Sequence, residues 1–186
     1  MKSESCLVLI DVQESFRHRP YFSERDLAAY LAAQNALVAG CVAREVPVVR
    51  IFHVDGPAHA DNAFALASGH VRPLAGLDAV DPAATFHKAR HSALVGTGLD
   101  VWLTENGIRR LIVSGIRTEQ CCETTARHAS DLGYAVDYVP DATLTFDMAH
   151  ADGSVFAAAD IKARTVAVLK DRFARVCTVA QALQEA

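Results

Sequence analysis

Val113-Ser114-Gly115-Ile116-Arg117-Thr118-Glu119-Gln120-Cys121 decides how this chain is read. The apolar run Leu111-Ile112-Val113 leading into it has the character of a buried strand. Gly115 ends that strand. From Glu123 to Leu132 the pattern is helical, and Gly133 stops it. Cys121 is therefore expected at the start of a helix, beyond the carboxyl end of a strand. A helix start favours anions, and a thiolate is an anion. Such placement can lower a cysteine pKa from ~8.5 to roughly 3.5–7.5.

Outward from this stretch, strand-like and helix-like segments alternate. Cys6 to Asp11, Pro47 to Phe52, Thr85 to Lys88, Arg110 to Ser114, Ala135 to Val139 and Thr165 to Leu169 read as six strands. Arg25 to Ala43, Leu99 to Asn106, Met148 to Ala163 and Val176 to Ala186 read as helices, beside the one after Cys121. Alternation of this kind implies a parallel sheet covered on both faces. The expected fold is α/β, a three-layer α/β/α doubly wound sheet of six parallel strands in the order 3-2-1-4-5-6. Strands one and four are then neighbours at the switch point, where ligands bind beyond the carboxyl ends. Asp11 ends the first and Cys121 follows the second. The connection from His53 to Ala84 is weakly periodic, as lids and interface segments are.

The 186 residues suit one domain, 1–186. Hydrophobic residues make up 51%, which is a globular composition. A net charge of −4 gives no reason to expect nucleic acid or an anionic membrane as partner. The polar start Met1-Lys2-Ser3-Glu4-Ser5 does not read as a signal peptide, and no apolar run reaches membrane-spanning length. The five cysteines show no disulfide-framework spacing, so a reduced, cytoplasmic setting is expected.

Singly, the candidate site residues are ambiguous. Asp11 is a site residue or a turn cap. Lys88, on its own, reads as a solvated surface lysine, and Cys121 as a small buried hydrophobe. Together they make a set. A cysteine nucleophile needs a base for its proton and a cation beside its thiolate. An acyl-transfer site also needs backbone N–H donors for an oxyanion, and the turn Gly115-Ile116-Arg117-Thr118 is placed to supply them.

At this point the chain resembles the isochorismatase-like cysteine hydrolases. The likeness rests on Asp11-Val12-Gln13-Glu14-Ser15-Phe16, on Lys88 with Ser92-Ala93, and on Gly96-Thr97 with Leu99. It is strongest in Gly115-Ile116-Arg117-Thr118-Glu119-Gln120-Cys121, followed by Thr125-Ala126, Gly133-Tyr134 and Tyr138-Val139-Pro140-Asp141-Ala142. The resemblance implies a catalytic triad of Asp11, Lys88 and Cys121, and a cis peptide between Ile116 and Arg117. It also implies an oxyanion hole from the N–H groups of Arg117 and Cys121. The implied reaction is hydrolysis of a small-molecule amide through a thioester, in a homodimer or homotetramer, with no cofactor. Cys121 is preferred to Cys122 by the Thr-x-x-Cys spacing, and Cys122 is expected to be buried and inert.

Phe16, His53 and Arg117 are candidate substrate-binding residues, each with a plainer alternative. Phe16 can line the pocket or fill the core. His53 can be a pocket or core residue. Arg117 can recognise a substrate carboxylate, or point to solvent or a partner subunit, and the second is preferred. Members of the family that cleave isochorismate lack the cysteine, so that substrate is not expected. Its nicotinamidases carry a metal on an Asp-x-His pair with further histidines. Here His53-Val54-Asp55 with His59 and His70 has a different order and spacing, and no metal is expected. His87 and His91 flank Lys88 and offer a Cys–His dyad as an alternative, but strand alternation turns His87 away from the Lys88 face, and a structural role is preferred. The competing functions are a nicotinamidase-like metal-assisted deamidase and a non-catalytic binding or scaffold protein.

Overall fold

The structure is a computed structural model, and it describes residues 3–186. Met1 and Lys2, the first residues of the polar start, lie outside the described residues. In chain order the elements are β1 (Ser5–Ile10), α1 (Leu27–Val42), β2 (Val48–His53), β3 (Ala84–Lys88), α2 (Leu99–Glu105), β4 (Arg110–Ile116), α3 (Glu123–Asp131), β5 (Ala135–Leu144), β6 (Met148–Ala149), β7 (Val155–Phe156), α4 (Ala158–Leu169), β8 (Arg175–Val176) and α5 (Val179–Gln184). One sheet has the order β3-β2-β1-β4-β5-β8 with every pairing parallel. Its sixth strand in sequence order is β8, so the expected doubly wound order is the one observed.

The alternation of side chains along β1 divides the interior in two. Leu7 and Leu9 face one buried cluster with Tyr30, Leu37 and Val38 of α1 and Ala182 of α5. Cys6, Val8 and Ile10 face the other, with Leu99 and Leu103 of α2, Ala126 and Ala129 of α3, and Leu169 of α4. All six residues of β1 are buried, as a strand covered by helices on both faces must be.

Two segments differ from the sequence reading. Thr165 to Leu169 is the last part of α4, not a strand. Its β-branched residues suggest a strand, but burial falls on Ala158, Thr165 and Leu169, which is helical spacing. The sixth strand is instead the two-residue β8, joined to β5 at Asp137 and Tyr138. Likewise Met148 does not begin a helix: β6 and β7 form a small antiparallel hairpin before α4.

One close approach fixes a residue type. Gly115 in β4 pairs with Ile10 in β1, and its φ is +130°, a region L side chains rarely adopt. An added Cβ there would overlap the Ile10 carbonyl oxygen. Glycine lets β4 press against the end of β1, where the chain turns at Asp11.

Candidate active site

Asp11, Lys88 and Cys121 come together at the carboxyl ends of β1, β3 and β4. Asp11 follows β1 directly, with a left-handed φ of 51°, and its N–H donates to Ile51 O at 2.9 Å. Lys88 ends β3 and reaches back over β2. Cys121 lies in a single π-helical turn, Thr118–Cys122, that links β4 to α3. Such turns recur at functional sites. Tyr138 Oη donates to Thr118 O at 2.9 Å, and Thr118 Oγ1 donates to Thr143 Oγ1 at 2.9 Å, so β5 holds the turn in place.

The cluster is organised around one ammonium. Lys88 Nζ is 2.7 Å from Asp11 Oδ2, 2.8 Å from His53 Nδ1 and 3.2 Å from Cys121 Sγ. The first contact is an ion pair, and the other two are hydrogen bonds of the ammonium. Asp11 is fully buried, Lys88 is 2% exposed and Cys121 is 6% exposed.

Burial sets the electrostatics. It raises the Asp11 carboxyl above its usual range, and Lys88 pulls it only part of the way back. Burial works against the Lys88 charge, but Asp11 and then Cys121 outweigh it and hold the lysine protonated. His53 is pushed down to about 4 by burial and then by Lys88, so it is neutral and its Nδ1 accepts from the ammonium. The Cys121 thiol is pushed up to about 12, first by burial and then by the Asp11 charge. The lowered pKa expected from a helix start is therefore not found at rest. The arrangement is a neutral thiol, a carboxylate ready to gain a proton, and a cation touching both.

Cys122 is fully buried, and its thiol is raised well above the usual value by burial. All five cysteines are free. Gln13, also fully buried, clamps the backbone of His53 from both sides: Oε1 accepts from His53 N at 2.7 Å, and Nε2 donates to His53 O at 3.0 Å. This fixes the residue whose ring meets Lys88.

The aromatic side chains form a row away from the cluster. His53 meets Phe64 edge-on at 5.7 Å, Phe64 meets Phe16 at 5.1 Å, and Phe16 lies 6.5 Å from Phe146. Phe16 is 5% exposed within this row. Arg117 closes it. The expectation that Arg117 points to solvent or a partner is overturned: it is 7% exposed, with its guanidinium 4.8 Å from the Tyr21 ring and 5.7 Å from the Phe146 ring. Cation–π attraction offsets the desolvation that its charge resists. Glu119 Oε1 is 3.1 Å from Arg117 Nη2, but out of line, so Nε and Nη2 keep N–H groups without an aligned acceptor.

The peptide between Ile116 and Arg117 is cis. His87 is exposed, on the opposite side of β3 from Lys88. His91, read from sequence as structural, places Nδ1 3.9 Å from Cys121 Sγ. The signal for it was its position three residues after Lys88, on the loop that leaves β3.

The one group of three metal-type ligands among the described residues is Asp11, His53 and Cys121. These are the three groups already joined to Lys88, whose ammonium stands where an ion would sit. His70 stacks on His18 at 3.6 Å, and His59 is exposed in its loop, so neither joins His53. This donor set does not fit a metal. A large surface cavity, lined by Arg44, Trp102 and Arg109, lies at the amino ends of the strands and includes none of these residues.

The family model described as the isochorismatase domain matches residues 5–181. YrdC of Bacillus subtilis, an uncharacterised isochorismatase family protein, is 26% identical over 192 residues, covering 100% of this chain and 97% of its own. Nicotinamidase 3 of Arabidopsis thaliana is 43% identical over 60 residues, 32% of this chain and 30% of that protein. A crystal structure from Chromobacterium violaceum, described as a hydrolase of the isochorismatase family, superposes with a TM-score of 0.86 at 28% identity, covering 100% of this chain and 95% of that one.

Proposed function

The chain belongs to the isochorismatase family, and from that premise we propose that it is a cysteine-dependent hydrolase cleaving the C–N bond of a small amide or carbamoyl compound. The observation that carries the reading is the buried Lys88 ammonium shared by Asp11, His53 and Cys121. A fold that needed no chemistry here would have no reason to seal a lysine, a carboxylate and a thiol together, since burying charges is costly.

The reaction follows from the proton positions. Asp11 takes the Cys121 proton as the sulfur attacks the carbonyl carbon. Lys88 stabilises the sulfur while it carries negative charge. The N–H groups of Arg117 and Cys121 receive the oxyanion. The C–N bond breaks, and the amine leaves with the proton from Asp11. Water then cleaves the thioester, and the thiol re-forms. Phe16, His53 and Arg117 are the substrate-binding residues of this reading, the aligned aromatic row and the free Arg117 N–H groups being their support.

The same reading treats residues 1–186 as one domain, acting in the cytoplasm as a homodimer or homotetramer without a cofactor. Five free buried thiols support a reducing setting, and no helix of the described residues is long and apolar enough to cross a membrane. The partial likeness to nicotinamidase 3 supports deamidation as the class of reaction, while the donor set gives no support to a metal-assisted route.

The test is ammonia release from a panel of small carboxamides, carbamoyl compounds and nicotinamide, using wild type, Cys121→Ser and Cys122→Ser. Turnover lost in Cys121→Ser and kept in Cys122→Ser is the expected result. A Cys121→Ser variant that still releases ammonia at near the wild-type rate would overturn the proposal.

A further inference from the structure

His53 and Lys88 share one register position in the sheet, the last pair between β2 and β3. Their side chains therefore leave the sheet together, and Nδ1 meets Nζ at 2.8 Å. An ammonium has protons to give and no lone pair to offer. Nδ1 must accept, so the single proton of the neutral ring resides on Nε2. Lys88 thus fixes the tautomer of His53 as well as its place.

The two ring nitrogens have different surroundings. Asp11 and Lys88, on the Nδ1 side, are sealed from solvent. Among the described residues Nε2 has no hydrogen-bond partner, and unlike the Arg117 nitrogens it is open to solvent. The ring is also held: Gln13 clamps the backbone of His53, and Phe64 packs edge-on against the imidazole at 5.7 Å. A ring nitrogen of His53, an Asp11 oxygen and Cys121 Sγ lie within 4.8 Å of one another. The site therefore presents a fixed N–H donor beside the sulfur.

A donor left without an acceptor is unfavourable once substrate has displaced water. A plain alkyl amide has one carbonyl oxygen, and the oxyanion hole claims it. We propose that His53 is a specificity-determining residue whose Nε2–H selects amides bearing a second carbonyl oxygen close to the scissile one. The class comprises 2-oxo amides, 3-oxo amides and their carbamoyl counterparts. This rests on the hydrolase reading above and names its substrate. The bond forms without proton transfer, so Asp11 remains the group that exchanges protons with the substrate.

Two isosteric pairs test this: pyruvamide against isobutyramide, and acetoacetamide against isovaleramide. In each pair a carbonyl oxygen replaces a methyl group. The oxo group also activates its neighbour, so the readout is the change in preference on mutation. The proteins are wild type, His53→Gln, which keeps an amide N–H, and His53→Met, which has none. The ratio of kcat/KM values in at least one pair should fall about tenfold in His53→Met, the worth of one hydrogen bond, and less in His53→Gln. A loss of equal size on both members of each pair would place the donor on the scissile oxygen and overturn the assignment. Apart from turnover, a nitrogen-15 NMR spectrum of the histidine rings at neutral pH should show the His53 proton on Nε2; a proton on Nδ1 would also overturn it. If wild type releases ammonia from other amides through Cys121 but from neither oxo amide, the substrate class is wrong and the hydrolase reading stands. If no ammonia release depends on Cys121, the hydrolase reading falls, and the role of His53 with it.

Discussion

His53 Nδ1 and Lys88 Nζ stand 2.8 Å apart, and only the lysine carries charge. Burial, and then the neighbouring ammonium, lower the histidine from 6.5 to about 4. The pair is a neutral acceptor set against a cation, which orients the lysine without competing for its charge.

That relationship has a pH signature. The unfolded chain binds a proton at His53 from about pH 6.5 downward, while the folded chain resists until about 4. The contribution to stability is therefore whole above 6.5 and is lost as pH falls from 6.5 towards 4. His53→Gln, which still accepts from Lys88, should flatten that part of the curve. Urea midpoints at pH 7, 5.5 and 4.5 check this; a slope identical to wild type would show that His53 is not responsible.

Asp11 holds the Cys121 thiol up, second only to burial. Asp11→Asn removes that negative charge and leaves Lys88 to favour the thiolate. Iodoacetamide at neutral pH should then alkylate Cys121 faster than in wild type. Turnover should nevertheless drop by at least about 100-fold, because the proton acceptor is gone. Slower labelling in this variant would mean that the carboxylate is not what keeps the thiol protonated.

Gly115→Ala should be among the most damaging single-methyl additions in the chain. The new Cβ meets backbone, the Ile10 carbonyl, at a φ suited to glycine. A loss of about 3 kcal/mol or more is expected, as for other strained or overpacked core positions. Denaturant unfolding measures it. A cost under about 1 kcal/mol would show that β1 and β4 can part without harm.

β8 is only two residues long, and Arg175 fastens it. Its Nε and Nη2 each donate to the fully buried Asp137 carboxylate at 2.8 Å. Arg175→Ala leaves that carboxylate with Arg110 alone, 3.3 Å away. The loss should be about 1–3 kcal/mol, the cost of leaving a buried carboxylate short of partners once a half-exposed arginine is removed. Arg175→Lys should recover only part of it, since a lysine cannot make the forked contact. Full recovery by lysine would reduce the contact to simple charge.

The residues that set the topology were legible because local chemistry agreed with the final fold. The apolar runs of β1, β2 and β4 read as buried strands, and the doubly wound order expected of them brings Asp11 to Cys121. What escaped the sequence depended on distant partners. Arg117 is buried because Tyr21 and Phe146, far from it along the chain, supply rings for its guanidinium. β8 is too short to show a period at all. Thr165 to Leu169 has the composition of a strand, but Thr165 Oγ1 donates to buried Glu123 and holds the segment as helix. The thiol's direction of shift was missed because a helix start is a weak, local effect. Burial and a carboxylate, both products of tertiary structure, exceed it.

Gln13 carries a last consequence. By donating to one peptide group and accepting from the same residue, its side chain adds a rung to the ladder between β1 and β2 without using main chain. The sheet is thereby closed off at His53, before the long connection to β3 begins. That connection is bound back onto the same loop, with Leu74 N donating to Val12 O at 3.0 Å and Glu14 N to Arg72 O at 2.9 Å, so the cover over the site and the end of β1 hold one another. Gln13 is the seam that joins roof to floor, bridging to Pro73 of the connection on one side and clamping His53 on the other.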